Sequence, residues 1–248
     1  MTREVGRVIG VMGGMGPEAT LAFFGSLLTL TPADCDQDHL RVIIDSNPAI
    51  PDRSAAVLSG GPSPVPMMAG SIAGLERAGA DFVVIPCVSA HMFVDELKEH
   101  IKLPLLSILD VVADQISSDR RAIRRVGLLA TSGTVKTGLF QRRLMVAGVD
   151  VILPDLPDQE AVMSAIYAVK AGGERGQAAN ALRLVAHRLV QRGAQGIVLG
   201  CTEIPLVFDA KGLAIPVFDS LMILARAAVR AAGREPLAAP SVDGGYAA

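Results

Sequence analysis

Two cysteines each end an apolar stretch that begins with the same dipeptide. Gly79-Ala80 opens the stretch that reaches Cys87, and Gly193-Ala194 opens the one that reaches Cys201, eight residues after the glycine in both cases. Such self-similarity indicates a duplicated chain whose halves place two thiols in equivalent positions. Two thiols facing each other across a cleft form an acid/base pair. Such a pair suits removal of a proton from one face of a carbon and delivery to the other.

A single buried cysteine is most often a small hydrophobic residue without a chemical role. The duplication favours reactive thiols instead, and each is followed within two positions by a hydroxyl residue, Ser89 or Thr202. We also expect each thiol to lie near a helix N-terminus, which would lower its pKa. Cys35 stands in a polar loop, and we expect it to be incidental.

Apolar strands alternate with helices along the chain, which predicts parallel sheets covered on both faces. The fold class is therefore α/β, with two pseudo-symmetric, doubly wound domains and the active site in the cleft between them. We predict a first domain at 1–115, joined by a C-terminal helix at about 219–232, and a second domain at 116–218. Residues 233–248 have no packing pattern and are predicted to form a disordered tail.

Ligands of such folds lie beyond the carboxyl ends of the strands. The segments predicted at those ends are 13–16, 45–47, 87–89, 131–134 and 201–203.

Four further segments have a predicted structure. The Pro-, Gly- and Ser-rich segment 49–66 is predicted to be a long loop with some helix, and loops of that length are usually functional. A helix is expected at 90–100, directly after the first cysteine, followed by a strand at 103–108. The last strand is expected at 213–218.

Composition excludes several classes of function. The 248 residues include 23 basic and 25 acidic side chains, so there is no positive excess for nucleic acid or an anionic membrane. The chain has no Trp and only two Tyr, which argues against stacking platforms for bases. We find no signal peptide and no apolar run of membrane-spanning length. We therefore expect a cytoplasmic protein with a small-molecule substrate.

Three further residues could bind a metal or a carboxylate, but the sequence supports these roles less strongly. His91 stands four residues after Cys87, but no further ligands accompany it, so a polar residue on a cleft-lining helix is favoured over a metal ligand. Arg53 in the long loop and Lys170 at the end of a helix could each bind a carboxylate. We predict no metal site.

A dinucleotide-binding loop is a rival interpretation of the N-terminal glycines. Gly14, Gly16 and Ala19 fit the G-x-G-x-x-A pattern after a strand, and Asp45 ends the second strand. Against this, Pro17 removes an N–H from the anion site and Glu18 places negative charge there. We therefore expect no nucleotide cofactor.

Three ordered motifs resemble the cofactor-independent aspartate/glutamate racemase superfamily, and in particular its aspartate racemase branch. The chain reads Gly-Gly-Met-Gly-Pro-Glu-Ala-Thr at 13–20, Asn-Pro-Ala-Ile-Pro-Asp-Arg at 47–53 and Gly-Cys-Thr-Glu-Ile-Pro at 200–205. The resemblance extends from about Arg7 to Ala228. In the glutamate racemase branch a histidine would normally stand in place of Glu203.

The resemblance implies a two-base mechanism without pyridoxal phosphate, in which Cys87 and Cys201 exchange protons with the substrate. It implies that Arg53 and Lys170 hold the side-chain carboxylate of an acidic amino acid, aspartate before glutamate. It also suggests a homodimer. The remaining predicted substrate contacts are Met15, Asn47, Val88, Ser89, Thr131, Thr134, Thr202 and Glu203.

The first cysteine motif departs from the family pattern. The family usually has Asn-Thr after this cysteine, where the chain has Val88 and Ser89. Val88 cannot donate or accept a hydrogen bond through its side chain, which affects substrate choice. Two alternatives therefore stay open: an isomerase or decarboxylase of a small dicarboxylate that lacks an amino group, and a catalytically degenerate ligand-binding homologue.

Overall fold

Two four-stranded parallel sheets form the framework of the protein. The computed structural model describes residues 6–238. The strands are β1 Ile9–Gly13, β2 Val42–Ser46, β3 Phe82–Val84, β4 Leu105–Leu106, β5 Arg125–Leu129, β6 Asp150–Ile152, β7 Ile197–Leu199 and β8 Val217–Asp219.

The helices lie between successive strands and cover the sheets. They are α1 Pro17–Leu30, α2 Arg53–Ser59, α3 Val65–Arg77, α4 Val94–Lys98, α5 Ile108–Ser117, α6 Ser132–Thr137, α7 Leu139–Val146, α8 Leu156–Lys170, α9 Arg175–Gln191 and α10 Ser220–Ala231.

The two sheets have the same strand order. It is β2-β1-β3-β4 in the first and β6-β5-β7-β8 in the second, and every pairing is parallel. The central strands are continuous apolar runs because both of their faces are covered, and all five residues of β1 are buried. The predicted α/β class with two related parallel sheets is confirmed. The carboxyl ends of the strands that precede the two cysteines therefore hold equivalent places in the two sheets.

The hydrophobic core continues from one sheet to the other. Its central cluster joins Val11 of the first sheet and Val126 of the second through side chains of α1, α5, α7 and α10. Two outer clusters lie under α3 on one side and under α8 and α9 on the other. Helix α10 packs against α1 and α5, at the seam between the sheets. This shared core holds the strand ends of the two halves next to each other.

Three local predictions were wrong. The helix expected at 90–100 is a 3-10 turn, Val88–Phe93, followed by the short helix α4. The strand expected at 103–108 has two residues, and α5 begins at Ile108 because Ser107 caps it by accepting the Asp110 N–H. The last strand also begins later than expected, at Val217.

The chain continues past α10 along the surface of α1. Leu237 donates its N–H to the Leu30 carbonyl at 2.8 Å, and its own carbonyl accepts from Arg226. The first residues of the predicted tail are thus held by hydrogen bonds, and positions 239–248 lie outside the described residues. Across 6–238, none of the helices has the length and apolar character needed to cross a bilayer.

Candidate active site

Both repeated cysteines lie in one cleft, each on the loop that follows a central strand. Cys87 follows β3 and Cys201 follows β7, and each residue is 5% exposed. The cleft is lined by Met15, Asp52, Arg53, Ser54, Cys87, Val88, Ser89, Thr131, Ile166, Tyr167, Lys170, Cys201, Thr202 and Glu203.

A chain of charged groups surrounds Cys201. The thiol donates to Glu203 Oε2 at 3.1 Å, and Glu203 Oε1 accepts from Lys170 Nζ at 2.6 Å and from the Gly16 N–H at 2.9 Å. A Cβ on Gly16 would lie 3.3 Å from this carboxylate oxygen, so glycine permits the close approach. In the dinucleotide interpretation this N–H would face a phosphate, but Glu203 already occupies it. The structure therefore disfavours a nucleotide at this loop.

The environment of Cys201 raises its thiol pKa well above the usual value, chiefly through burial and then through the adjacent Glu203 carboxylate. Lys170 opposes the shift without reversing it. Burial alone would lower the pKa of Lys170, but the Glu203 carboxylate together with Cys201 and Cys87 outweighs burial, and the pKa is raised. The expectation of a helix N-terminus that lowers the thiol pKa was wrong for Cys201, because the element after it is only the 3-10 turn Ile204–Leu206.

The loop of Cys87 carries neutral hydrogen bonds instead of charges. The Ser89 hydroxyl lies 3.0 Å from Thr131 Oγ1 and 3.3 Å from Thr134 Oγ1, and the two threonine hydroxyls are 3.0 Å apart. In the opposite direction, Thr202 donates its hydroxyl to the Pro86 carbonyl at 3.0 Å. Each cysteine loop is therefore bonded to the other half of the molecule.

Arg53 forms a buried cationic wall of the cleft. Its guanidinium donates to the carbonyls of Ile50 at 3.1 Å, Pro51 at 2.9 Å and Met15 at 2.9 Å. The residue is 8% exposed, and its Nε has no hydrogen-bond partner in the structure. Lys170 Nζ also donates to the Met15 carbonyl, at 3.1 Å. Two cations thus converge on one loop, and one buried donor is left unsatisfied.

The Asp/Glu/Hydantoin racemase family model matches residues 12–228, which is most of the chain. The protein belongs to this family. The predicted superfamily and the predicted enzyme class, an amino-acid racemase, are confirmed by this match together with the structural neighbours.

Solved structures of the family superpose on nearly the whole protein. The aspartate racemase of Picrophilus torridus is 32% identical, with a TM-score of 0.83 over 94% of this chain and 96% of that one. A putative Asp/Glu racemase from Yersinia pestis is 30% identical, with a TM-score of 0.74 over 91% and 99% of the two chains. The broad specificity amino-acid racemase RacX of Bacillus subtilis is 26% identical over 90% of this chain and 96% of the relative.

Most of the residues predicted for this racemase site line the cleft, but two lie elsewhere. Thr134 lies behind Ser89, where its hydroxyl completes the group with Thr131. Asn47 accepts the Ala49 N–H at 3.1 Å and so stabilises the turn after β2. Neither is among the cleft-lining residues within 6–238. His91 was expected to line the cleft, but its buried ring is directed at backbone groups instead.

Sequence reasoning missed four cleft residues. Ile166 and Tyr167 precede Lys170 by four and three positions on α8, so helical periodicity places them on the same face as the lysine. Asp52 and Ser54 flank Arg53, and Asp52 caps α2 by accepting the Ala55 N–H at 2.7 Å. Helix spacing and capping signals could have identified these residues.

Proposed function

We propose that the protein racemises an acidic amino acid without a cofactor, using Cys87 and Cys201 as the two proton-transferring groups. The observation that carries this proposal is that both thiols, which end equivalent strands of the two sheets, line the same cleft as Arg53 and Lys170. A pair of acid/base groups and a pair of cations are the parts that removal of an α-proton from a dicarboxylic amino acid requires.

Arg53 and Lys170 supply the site for the substrate's side-chain carboxylate. The carbonyl contacts fix the guanidinium plane before any ligand arrives. Arg53 and Lys170 both line the cleft, so two positive charges stand beside a bound substrate, and a planar guanidinium suits a carboxylate. The ligand class favoured at this wall is therefore an anion with a planar carboxylate.

The raised pKa of Cys201 supports a starting state for the proposed reaction. Because the pKa of Cys201 is raised, this residue is a thiol at neutral pH, the form that can donate a proton. In the direction of reaction that begins from this state, Cys87 removes the α-proton and Cys201 protonates the opposite face of the carbon. The burial of both thiols keeps water from the carbanion between the two steps.

Aspartate is the first substrate to test, because the Picrophilus torridus relative, at 32% identity, is an aspartate racemase. The RacX relative acts with broad specificity, so a panel of amino acids belongs in the same assay. Val88 favours a second candidate, isomerisation or decarboxylation of a dicarboxylate without an amino group, because it lines the cleft and its side chain has no hydrogen-bonding atom. A homodimer and a cytoplasmic location stay predictions, and light scattering tests the first.

Proton exchange in heavy water tests the proposal directly. The protein is incubated with L- or D-aspartate and with L- or D-glutamate, without added cofactor, and loss of the α-proton signal is followed by NMR. We expect exchange with inversion, and a rate loss of about 100-fold or more in Cys87→Ala and in Cys201→Ala. Inversion that survives either substitution would contradict the two-thiol mechanism, whereas exchange of one enantiomer with retention is the reaction expected of the single thiol that is left. No exchange with any amino acid would move the screen to dicarboxylates without an amino group.

A further inference from the structure

His91 connects the backbone of Cys87 to the start of helix α5. Its ring is 6% exposed. Nδ1 lies 3.0 Å from the Cys87 carbonyl oxygen, and Nε2 lies 3.4 Å from the Ile108 backbone nitrogen. Both ring nitrogens therefore contact main-chain groups, one of which belongs to a residue of the cleft.

These two contacts determine the tautomer of the ring. A backbone N–H can only donate, so Nε2 must accept the Ile108 N–H and must carry no proton. Nδ1 then holds the single proton and donates it to the Cys87 carbonyl. Burial, opposed by smaller hydrogen-bond and charge effects, lowers the pKa of His91 to about 4, so the ring is neutral at physiological pH.

Helix α5 is itself tied to the other half of the molecule. Arg143 of α7 forms ion pairs with Asp110 and with Asp114 on α5. The path from the Cys87 carbonyl through His91 and α5 thus ends on an element that packs with the second sheet. The corresponding position in the other loop, four residues after Cys201, is Pro205, which has no donor to offer.

We propose that His91 is a positioning residue that holds Cys87 in register with the opposite thiol, by donating from Nδ1 to the Cys87 carbonyl while accepting the Ile108 N–H at Nε2. This inference rests on the proposed function only in that it assigns Cys87 a chemical role. His91 contacts the loop of Cys87, and Pro205 holds the equivalent position in the loop of Cys201. Loss of His91 therefore affects the Cys87 loop and leaves the Cys201 loop unchanged.

A matched pair of substitutions separates the two contacts. The amide of His91→Asn places a donor near the position of Nδ1, whereas the longer side chain of His91→Gln reaches the position of Nε2 and loses the donor to Cys87. Site-resolved alkylation by iodoacetamide, read by peptide mass spectrometry, reports each thiol separately and needs no enzymatic activity.

We expect His91→Gln to speed alkylation of Cys87 by about threefold or more, because the loop opens locally, and to leave Cys201 unchanged. His91→Asn is expected to fall between the wild type and His91→Gln, because it keeps the donor to Cys87 and loses the contact with Ile108. In the racemisation assay, His91→Gln lowers kcat by about tenfold at constant KM, because the thiol is displaced while Arg53 and Lys170 keep their places. An equal change in the alkylation rates of Cys87 and Cys201, or an unchanged rate at Cys87 in His91→Gln, would overturn the proposal.

A second measurement uses the wild-type protein and so does not depend on whether a variant folds. Nitrogen-15 NMR of the wild-type protein should show His91 protonated at Nδ1 alone from pH 8 to pH 5. A proton at Nε2, or titration near pH 6.5, would overturn the assignment. If the wild type proves inactive on every amino acid, the alkylation and NMR results still decide the role of His91, so its failure is distinguishable from failure of the proposed function.

Discussion

The two cysteine loops share one backbone plan but have different chemical surroundings. Two residues after Cys87 stands Ser89, whose hydroxyl joins two threonine hydroxyls of the second half. Two residues after Cys201 stands Glu203, whose carboxylate contacts the thiol, Lys170 and the Gly16 N–H of the first half. Both loops therefore reach across the cleft from the same position, one with neutral bonds and the other with charges.

The caps of the last helix in each half differ in the same way. Ser107 caps α5 and Asp219 caps α10, so the second half again has an ionisable group where the first has a hydroxyl. The fold places equivalent positions in equivalent geometry, and the side chains then make the halves electrostatically different. In the proposed two-thiol reaction, this difference supports Cys201 as the group that begins as the acid.

The largest expected difference concerns stability. Glu203→Ala leaves the Lys170 ammonium without its carboxylate partner in a site where its side chain is 24% exposed. We expect the free energy of unfolding to fall by about 3 kcal/mol. The matched Ser89→Ala in the other loop should cost about 1 kcal/mol, since only neutral bonds are lost. Urea denaturation measures both.

A control for this prediction is the double variant Glu203→Ala with Lys170→Met, which removes the uncompensated charge. It should be more stable than Glu203→Ala alone. Equal losses of unfolding free energy in Glu203→Ala and Ser89→Ala would show that the charged contacts of Glu203 stabilise the fold no more than the neutral hydrogen bonds of Ser89.

The next effect is a pH dependence of stability that arises at the cap of α10. Burial raises the pKa of Asp219 from its ordinary 3.8 to about 6, against hydrogen bonds from the Met222 and Leu221 N–H groups. Since the folded state binds this proton more tightly than the unfolded state, the stabilisation is complete below pH 3.8 and is lost as pH rises through 6.

Asp219→Ser gives the second half the cap that α5 has in the first. The unfolding free energy of the wild type relative to this variant should fall by about 2 kcal/mol between pH 4 and pH 7. Denaturation curves at four pH values measure the difference. Parallel pH profiles for the two proteins would contradict the assignment to Asp219.

The smallest effect concerns the reactivity of Cys201. Glu203→Gln keeps an oxygen for the Lys170 and Gly16 donors but removes the negative charge that helps to raise the thiol pKa. The pKa should fall, and alkylation of Cys201 at pH 8 should become about tenfold faster, a change of about one pKa unit. Cys87 in the same sample serves as the internal control. A slower or unchanged Cys201 would show that burial alone sets its pKa.

The sequence by itself determined the repeated architecture and the place of the thiols in it. Apolar runs such as the one before Cys201 identify central strands, because a strand covered on both faces has no polar side. Pro17 stands at the first turn of α1, where a missing N–H costs nothing, and proline at such a place is a local signal for a helix start. Because these signals depend on near neighbours, they can be recognised in a single chain.

Only the tertiary structure decided the electrostatics and the supports of the site. Helix α5 was missed although Ser107 is a local capping signal, because α5 packs against α10, which is distant in the sequence. The raised pKa of Cys201 results from its burial and from its near neighbour Glu203, against the opposing charge of Lys170. The contact between His91 and Ile108 spans a turn, a helix and a strand. Burial and long-range contacts arise when separate elements pack, so local residue patterns do not encode them.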